Sequence, residues 1–271
     1  MQHLPLLQLS QAHLQILETC PRKFQYFFLN SLAMPQPSAV LEKQELGSQF
    51  HQLMQQRALG LEIQPLLDHH PKLQEWFLRF QDAPPPLMVG VRQNEYPCTL
   101  TLENFTLIAV FDLLIRGDDG LQVVDWKTYR RPHSAQLLKE HWQTRLYLFL
   151  VAEALGYAPD QISMLYWFAE SASERLTRGG AENWLSIPYS ASMHQQTSKT
   201  LVQLLSSLGG WMQDFVAGHQ NFPQVPLSAQ KCWSSQHVCP FVNHCYPARD
   251  SLPTPLESLI DLEAIAEISL D

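Results

Sequence analysis

Two aspartates and a lysine stand on apolar stretches in the middle of this chain. The segment Leu107–Lys127 reads LIAVFDLLIRGDDGLQVVDWK. Asp112 interrupts one apolar run, and Asp125 and Lys127 close the next. Strand side chains alternate between faces, so Asp125 and Lys127 share a side. The polar turn between the runs, Arg116–Gly120, carries Asp119-Gly120, a strong hairpin signal. Hairpin pairing can bring Asp112 beside the other two. Charges on an apolar sheet are costly unless they are paired or bound to metal. Two carboxylates can hold a hard divalent cation such as Mg2+. A lysine beside them can orient an attacking water or stabilise charge on a phosphoryl oxygen. The alternative is a surface salt bridge at the end of a hairpin.

A second group of reactive residues lies near the C-terminus. Cys232, Cys239 and Cys245 are spaced C-x6-C-x5-C, and Cys20 sits far away at the other end. Thiolates favour zinc or iron–sulfur centres. Tetrahedral zinc would take a fourth ligand such as His237 or His244. A cubane cluster would take a fourth cysteine, which Cys20 could supply, clasping the two ends of the chain. Three buried free thiols are the alternative. The five cysteines, an odd count, and a start without a basic n-region or cleavage site predict a reducing, cytoplasmic setting.

These residues need elements to carry them. Ser10 is a plausible N-cap for a short helix, which Cys20-Pro21 interrupts. A second helix is predicted over Arg22–Leu29, others over Glu42–Leu59 and Pro71–Phe80, with Ala83–Pro86 as a stop. Val89–Leu102 reads as a strand containing Glu95, followed by the hairpin. Ser134–Leu155 reads as one long helix ended by Gly156. On it Gln143 and Tyr147, four residues apart, share a face. Ile162–Phe168 and Trp184–Pro188 read as paired strands around a polar loop, Ser171–Gly180. Ser190–Phe215 is a further helix, and the tail from Pro253 reads as one more. This order predicts an α/β or α+β fold around one main sheet.

The chain has 271 residues, 45% of them hydrophobic, a formal charge of −8 and a pI of about 5.7. That balance argues against sequence-independent coating of nucleic acid, which relies on broad positive charge. A local basic groove is compatible with it; Arg130, Arg131, Lys139 and Arg145 follow the hairpin, and Arg22 and Lys23 follow Cys20. No apolar run reaches about 18 residues, so no membrane span is predicted.

Individually, His51, Glu95, Gln143 and Tyr147 read as ordinary surface or core residues. Their order carries more. Cys20-Pro21-Arg22-Lys23-Phe24-x-Tyr26, Gly47-x-x-x-His51, Glu95, Asp112, Asp125-x-Lys127, Gln143-x-x-x-Tyr147 and a terminal cysteine group follow one another. Over roughly residues 9 to 250 this series resembles the PD-(D/E)XK nuclease superfamily. It is most similar to the RecB-type branch with an iron–sulfur staple, as in AddB-like and CRISPR-adaptation nucleases. The resemblance implies a restriction-endonuclease-like three-layer core with a mixed central sheet, a helical N-terminal part and a cysteine-clasped C-terminus. It implies a single nuclease domain over 1–250, with a helical part at 1–82, a core at 88–220, a cysteine segment at 230–247 and a tail helix at 251–271.

The resemblance also implies roles. His51, Asp112 and Asp125 would ligate Mg2+ or Mn2+, with the Val124 carbonyl assisting. Lys127 would position or activate water. Gln143 and Tyr147 would sit beside the site, contacting DNA or the lysine. Cys20, Cys232, Cys239 and Cys245 would hold a 4Fe–4S cluster. The chain departs from the family pattern at Ala109, where a glycine is usual, and at Cys232, which comes four residues earlier than the first cysteine of the usual C-x2-C-x5-C; Gln236 stands in its place. It has no G-x-x-x-x-G-K-[ST] loop, so any unwinding partner, a helicase or repair subunit, would be a separate chain. The expected activity is a DNA nuclease, an exonuclease or end-processing enzyme preferring single strands. The rivals are a catalytically silent DNA-binding or scaffolding subunit, against which the complete set Asp112, Asp125 and Lys127 weighs, and a zinc-stapled interaction module.

Overall fold

The structure, a computed structural model, describes residues 7–32, 38–132, 134–170, 183–227, 231–232 and 238–247. The polar loop expected at 171–180, His237 and the tail helix expected at 251–271 lie outside the described residues. The chain divides into two compact units. One comprises residues 1–41, 101–106 and 200–271; the other comprises 42–100 and 107–199.

The second unit holds the sheet residues that matter most. Strand β2 is Val91–Leu102, β3 Phe105–Arg116, β4 Leu121–Arg130, β5 Ile162–Glu170 and β6 Trp184–Pro188. β2 pairs with β3, and the order continues β3-β4-β5-β6. β3 and β4 are antiparallel, with register from Arg116↔Leu121 to Leu113↔Val124. β4 and β5 are parallel, which sets Asp125 opposite Tyr166 and Lys127 opposite Phe168. β5 and β6 are antiparallel, so the sheet is mixed. β4 is buried from Leu121 to Lys127, as a strand covered on both faces should be.

Alternation along the strands sorts side chains into two layers. Val124 and Trp126 of β4 and Leu165, Trp167 and Ala169 of β5 join one apolar cluster. It includes Phe50, Leu53 and Met54 of helix α3 (Ser38–Ala58), Leu67 of α4 (Gln64–His69), and Trp76, Phe77 and Phe80 of α5 (Pro71–Asp82). Phe50 stacks on Trp167 with ring centroids 5.6 Å apart, and Phe80 meets Trp126 edge-on at 5.6 Å. The intervening residues, Asp125, Lys127 and Tyr166, face the opposite layer. Helix α7 (Trp142–Leu155) covers that face, and Thr144 on it meets Tyr166. Helix, mixed sheet, helix: this is the three-layer α/β arrangement expected from the sequence.

The region 134–155 is not the single helix expected. It is two, α6 (Ala135–Glu140) and α7, broken at His141. The extended backbone of His141 (φ −65°, ψ 141°) and its Nδ1, which accepts from the Gln143 N–H, start α7 afresh. Gly156 ends α7 in the left-handed region (φ 75°), where a side chain would be disfavoured. The first turn of α7 therefore begins with Gln143 and Thr144 aimed at the sheet.

The first unit contains β1 (Leu7–Leu9), α1 (Gln11–Thr19), α2 (Pro21–Phe24) and a π-helical turn at Gln25–Leu29. Ser10 caps α1, and His13 closes the cap: its Nδ1 accepts from the Ser10 N–H at 3.3 Å and meets Ser10 Oγ at 2.8 Å. Cys20 is the N-cap of α2, with Pro21 at the first helical position. Buried Gln25 ties this start to Asn221 and Phe222. Its amide donates to Asn221 Oδ1 at 2.8 Å and its carbonyl accepts from the Phe222 N–H at 2.8 Å. The Arg22 guanidinium donates to the Phe222 carbonyl at 2.6 Å. Helix α8 (Ala191–Val216) and the short α9 (Val242–Cys245) complete the described elements. None of the described helices is long and apolar enough to cross a membrane.

Candidate active site and cysteine cavity

Asp125 and Lys127 are brought together as strand parity predicts. Lys127 Nζ lies 2.9 Å from Asp125 Oδ2, and the two residues are 6% and 2% exposed. The pair is therefore no surface salt bridge. Burial of this depth makes each charge depend on the other, because an isolated buried ion is strongly unfavourable. The second oxygen, Asp125 Oδ1, accepts from Gln143 Nε2 at 2.7 Å. Gln143 thus meets the Asp125 carboxylate.

Asp112 reaches the same stretch of β4 from β3. Its Oδ2 accepts from the Trp126 N–H at 2.7 Å, so a side chain takes over a backbone donor of the central strand. The alternation of β3 is interrupted here. Leu113 belongs to the cluster under α3–α5, whereas Phe111, two residues earlier, packs on Tyr147 of α7 with centroids 5.0 Å apart. The other oxygen, Asp112 Oδ1, lies 3.0 Å from His51 Nδ1 on α3. Gly47 stands one turn before His51. A Cβ built there would lie 3.3 Å from Thr128 Oγ1, so the glycine lets α3 approach the strand just past Lys127. His51, Asp112, Asp125, Lys127 and Gln143 form one connected group. Tyr147 is buried on Phe111 beside it. Val124 precedes Asp125 on β4 and is the register partner of Leu113 on β3. Glu95 lies in β2 with a left-handed backbone (φ 47°), a conformation uncommon for a residue with a side chain.

Sequence reasoning missed one member. Tyr166 is completely buried, and Lys127 Nζ lies 5.8 Å from its ring centroid. Its hydroxyl is 2.7 Å from Thr144 Oγ1. Burial, and next the Asp125 charge, push this phenol well above its ordinary pKa, so it stays protonated. Only the polar Thr144 beside Gln143 could have hinted at it.

The donor set of the site is two carboxylates and an imidazole, which suits Mg2+ or Mn2+. Among the described residues, no three His, Cys, Asp or Glu side chains converge tightly enough to hold a metal ion as they stand. His51 and Lys127 instead face one oxygen of each aspartate.

In the first unit, one small cavity is lined by Cys20, Cys232, Cys239 and Cys245 together with Lys23 and Lys231. None of the five cysteines forms a disulfide. The Cys239 N–H donates to the Cys232 carbonyl at 2.8 Å, folding the segment back on itself. Phe241 packs on Tyr26 and Phe27 at 5.1 and 4.8 Å, which holds this segment against the π-helical turn. Burial, reinforced by Cys239, Cys20 and Cys245, raises the Cys232 thiol to about 11. The Cys239 and Cys245 thiols are raised too, again chiefly by burial. His244 packs near Tyr26 with centroids 5.9 Å apart.

Residues 8–246 match the family model described as the PD-(D/E)XK nuclease superfamily. The chain has no significant match among curated proteins. Among solved structures it is similar to a protein from Eubacterium rectale described as a "putative exonuclease". That match has 12% identity and a TM-score of 0.52, and covers 96% of this chain and 93% of that one. A weaker likeness, to SSO0001, has 12% identity and a TM-score of 0.32 over 80% and 79% of the two chains. The first of these similarities bears on the fold alone.

Proposed function

The chain belongs to the PD-(D/E)XK nuclease superfamily, whose chemistry is phosphodiester hydrolysis, and from that premise we propose a metal-dependent DNA nuclease that trims ends or single strands in repair or recombination. The observation that carries this reading is the buried Asp125–Lys127 pair, with Gln143 on its far oxygen and Asp112 bonded to the intervening Trp126. A fold seldom buries a carboxylate with a lysine beside a second, half-buried carboxylate without a use for them.

In this reading Asp112, Asp125 and His51 hold Mg2+ or Mn2+, and the Val124 carbonyl assists. Such an ion supplies charge neutralisation at the phosphate and a more acidic water. Lys127 orients the attacking water and counters charge on the phosphoryl oxygen. Gln143 fixes the rotation of Asp125 while Lys127 does this work. Tyr147 shapes the wall beside it through Phe111. The carboxylate oxygens that face His51 and Lys127 would be available to hold such an ion.

Cys20, Cys232, Cys239 and Cys245 line one cavity, and their chemistry suits a thiolate-bound centre, although as they stand they do not converge tightly enough to hold one. We assign them a structural 4Fe–4S cluster of the RecB-type branch, with zinc as the alternative. Free thiols suit a cytoplasmic protein, and a separate helicase or repair subunit would supply unwinding. The domain reading remains a nuclease core at 88–220 flanked by the helical and cysteine segments. The test is cleavage of end-labelled single- and double-stranded DNA with Mg2+ or Mn2+ by anaerobically purified protein. EDTA-sensitive products are expected, and their ladder gives the mode. No cleavage of either substrate would leave the catalytically silent DNA-binding subunit.

A further inference from the structure

We propose that Tyr166, anchored by Thr144, is a positioning residue that holds the Lys127 ammonium in place; the catalytic part of this inference rests on the nuclease reading above. Lysine has a long flexible stem and a compact charge, so burying one at a defined point needs contacts on more than one side. Asp125 Oδ2 supplies one side, 2.9 Å from Nζ. The ring of Tyr166 supplies another, with Nζ 5.8 Å from its centroid. The negative face of an aromatic ring attracts a cation, and the attraction is stronger away from water. Tyr166 has no exposed surface.

The ring itself is fixed. Thr144 Oγ1 donates to the Leu138 carbonyl at 2.5 Å, so its single proton is committed. The Tyr166 hydroxyl, 2.7 Å away, therefore donates to Thr144 Oγ1. Leu138 lies in α6, near the break at His141. That break aims Gln143 at Asp125 and Thr144 at Tyr166 from adjacent positions on α7. Strand register completes the frame, because Tyr166 is the β5 partner of Asp125. Two consecutive helix residues thus brace the two groups that flank Lys127.

The test compares Tyr166→Phe, which keeps the ring, with Tyr166→Met, which fills a similar volume without one. The first readout needs no activity. In protein labelled with 13C-lysine, the Lys127 ε-CH2 signal, identified by its absence in Lys127→Arg, should be displaced by the ring current. The displacement should persist in Tyr166→Phe and vanish in Tyr166→Met. The second readout is kinetic. Tyr166→Met should lower kcat for DNA cleavage by about tenfold or more, since small misplacements of a reacting group are costly. KM should stay within about twofold, because Tyr166 has no exposed surface with which to touch a substrate. In a Lys127→Met background, Tyr166→Met should add no further loss. If Tyr166→Met fails to fold, Tyr166→Leu serves in its place. An ordinary Lys127 shift in the wild type, or one unmoved by loss of the ring, overturns the positioning role. Equal kcat in Tyr166→Phe and a folded Tyr166→Met also overturns it. A displaced signal in a wild-type protein that cleaves nothing overturns the nuclease reading and leaves the ring–ammonium contact standing.

Discussion

Replacing Gln143 with leucine removes the amide's bond to Asp125. The amide donates to Asp125 Oδ1 at 2.7 Å, and both residues are almost fully buried. Leucine is close to glutamine in size, so the change opens little cavity. A hydrogen bond to a charged group contributes about 1.5–3 kcal/mol, and a buried acceptor that loses its donor also loses solvation. The Lys127 pair remains on the other oxygen, which limits the damage. The expected destabilisation is about 2–3 kcal/mol. At roughly 2–4 °C per kcal/mol for a domain of this size, the melting temperature should fall by roughly 4–12 °C. Asp125 would also lose one of the bonds that fix its last torsion, so kcat should fall by about ten- to a hundredfold. Calorimetry and initial rates on end-labelled DNA measure the two effects. An unchanged melting temperature together with an unchanged kcat would refute the claim that Gln143 fixes the carboxylate.

Burial lowers the His13 imidazole to about 4. The folded state then favours the neutral ring, so stability is complete above about pH 6.5 and is lost as pH falls toward 4. His13→Gln can keep the contact with Ser10 as a capping box and should flatten this acid loss in urea melts across pH 6.5–4; an unchanged slope would place the acid sensitivity elsewhere. Gly47→Ala gains about 1 kcal/mol of helix propensity but sets a methyl 3.3 Å from Thr128 Oγ1, so its melting temperature should stay within a few degrees. Gly47→Val should lower both stability and kcat, and a fully active Val variant would show that α3 need not approach β4 closely. Cys20→Ser should reduce bound iron and sulfide, or zinc, and lower the melting temperature; equal metal content and equal melting would exclude Cys20 as a ligand.

The central hairpin was legible because two strong local rules met there. The Asp119-Gly120 turn and the period-two pattern set Asp125 and Lys127 on one face, and the 2.9 Å pair follows from that. Asp112 and His51 are different: 61 residues separate them, and only the family's ordered motifs joined them in advance. The break at His141 was hidden because histidine is an acceptable helix residue. What ends α6 is an imidazole capping the next helix, a role that spacing does not announce. Helix α4 is short, six residues, and Pro65 sits in its first turn, where proline is suited; no periodic pattern announces a helix of that length. Tyr166 was invisible within ISMLYWFAE, where every neighbour argues for an apolar core strand. The C-x6-C-x5-C spacing left the thiols open, and packing of Phe241 on Tyr26 and Phe27 is what carries the three late cysteines to Cys20.

The central claim is that the buried lysine serves phosphodiester cleavage. Wild type and Lys127→Ala should be compared on end-labelled single- and double-stranded DNA with Mn2+ or Mg2+. Lys127 is buried against Asp125, so the variant should be less stable, because breaking a buried pair costs about 3–5 kcal/mol. The assay is therefore run well below the variant's own melting temperature. The account predicts metal-dependent cleavage by the wild type and none above background by the folded variant. Equal rates in both, or no cleavage by the metal-loaded wild type, would contradict it.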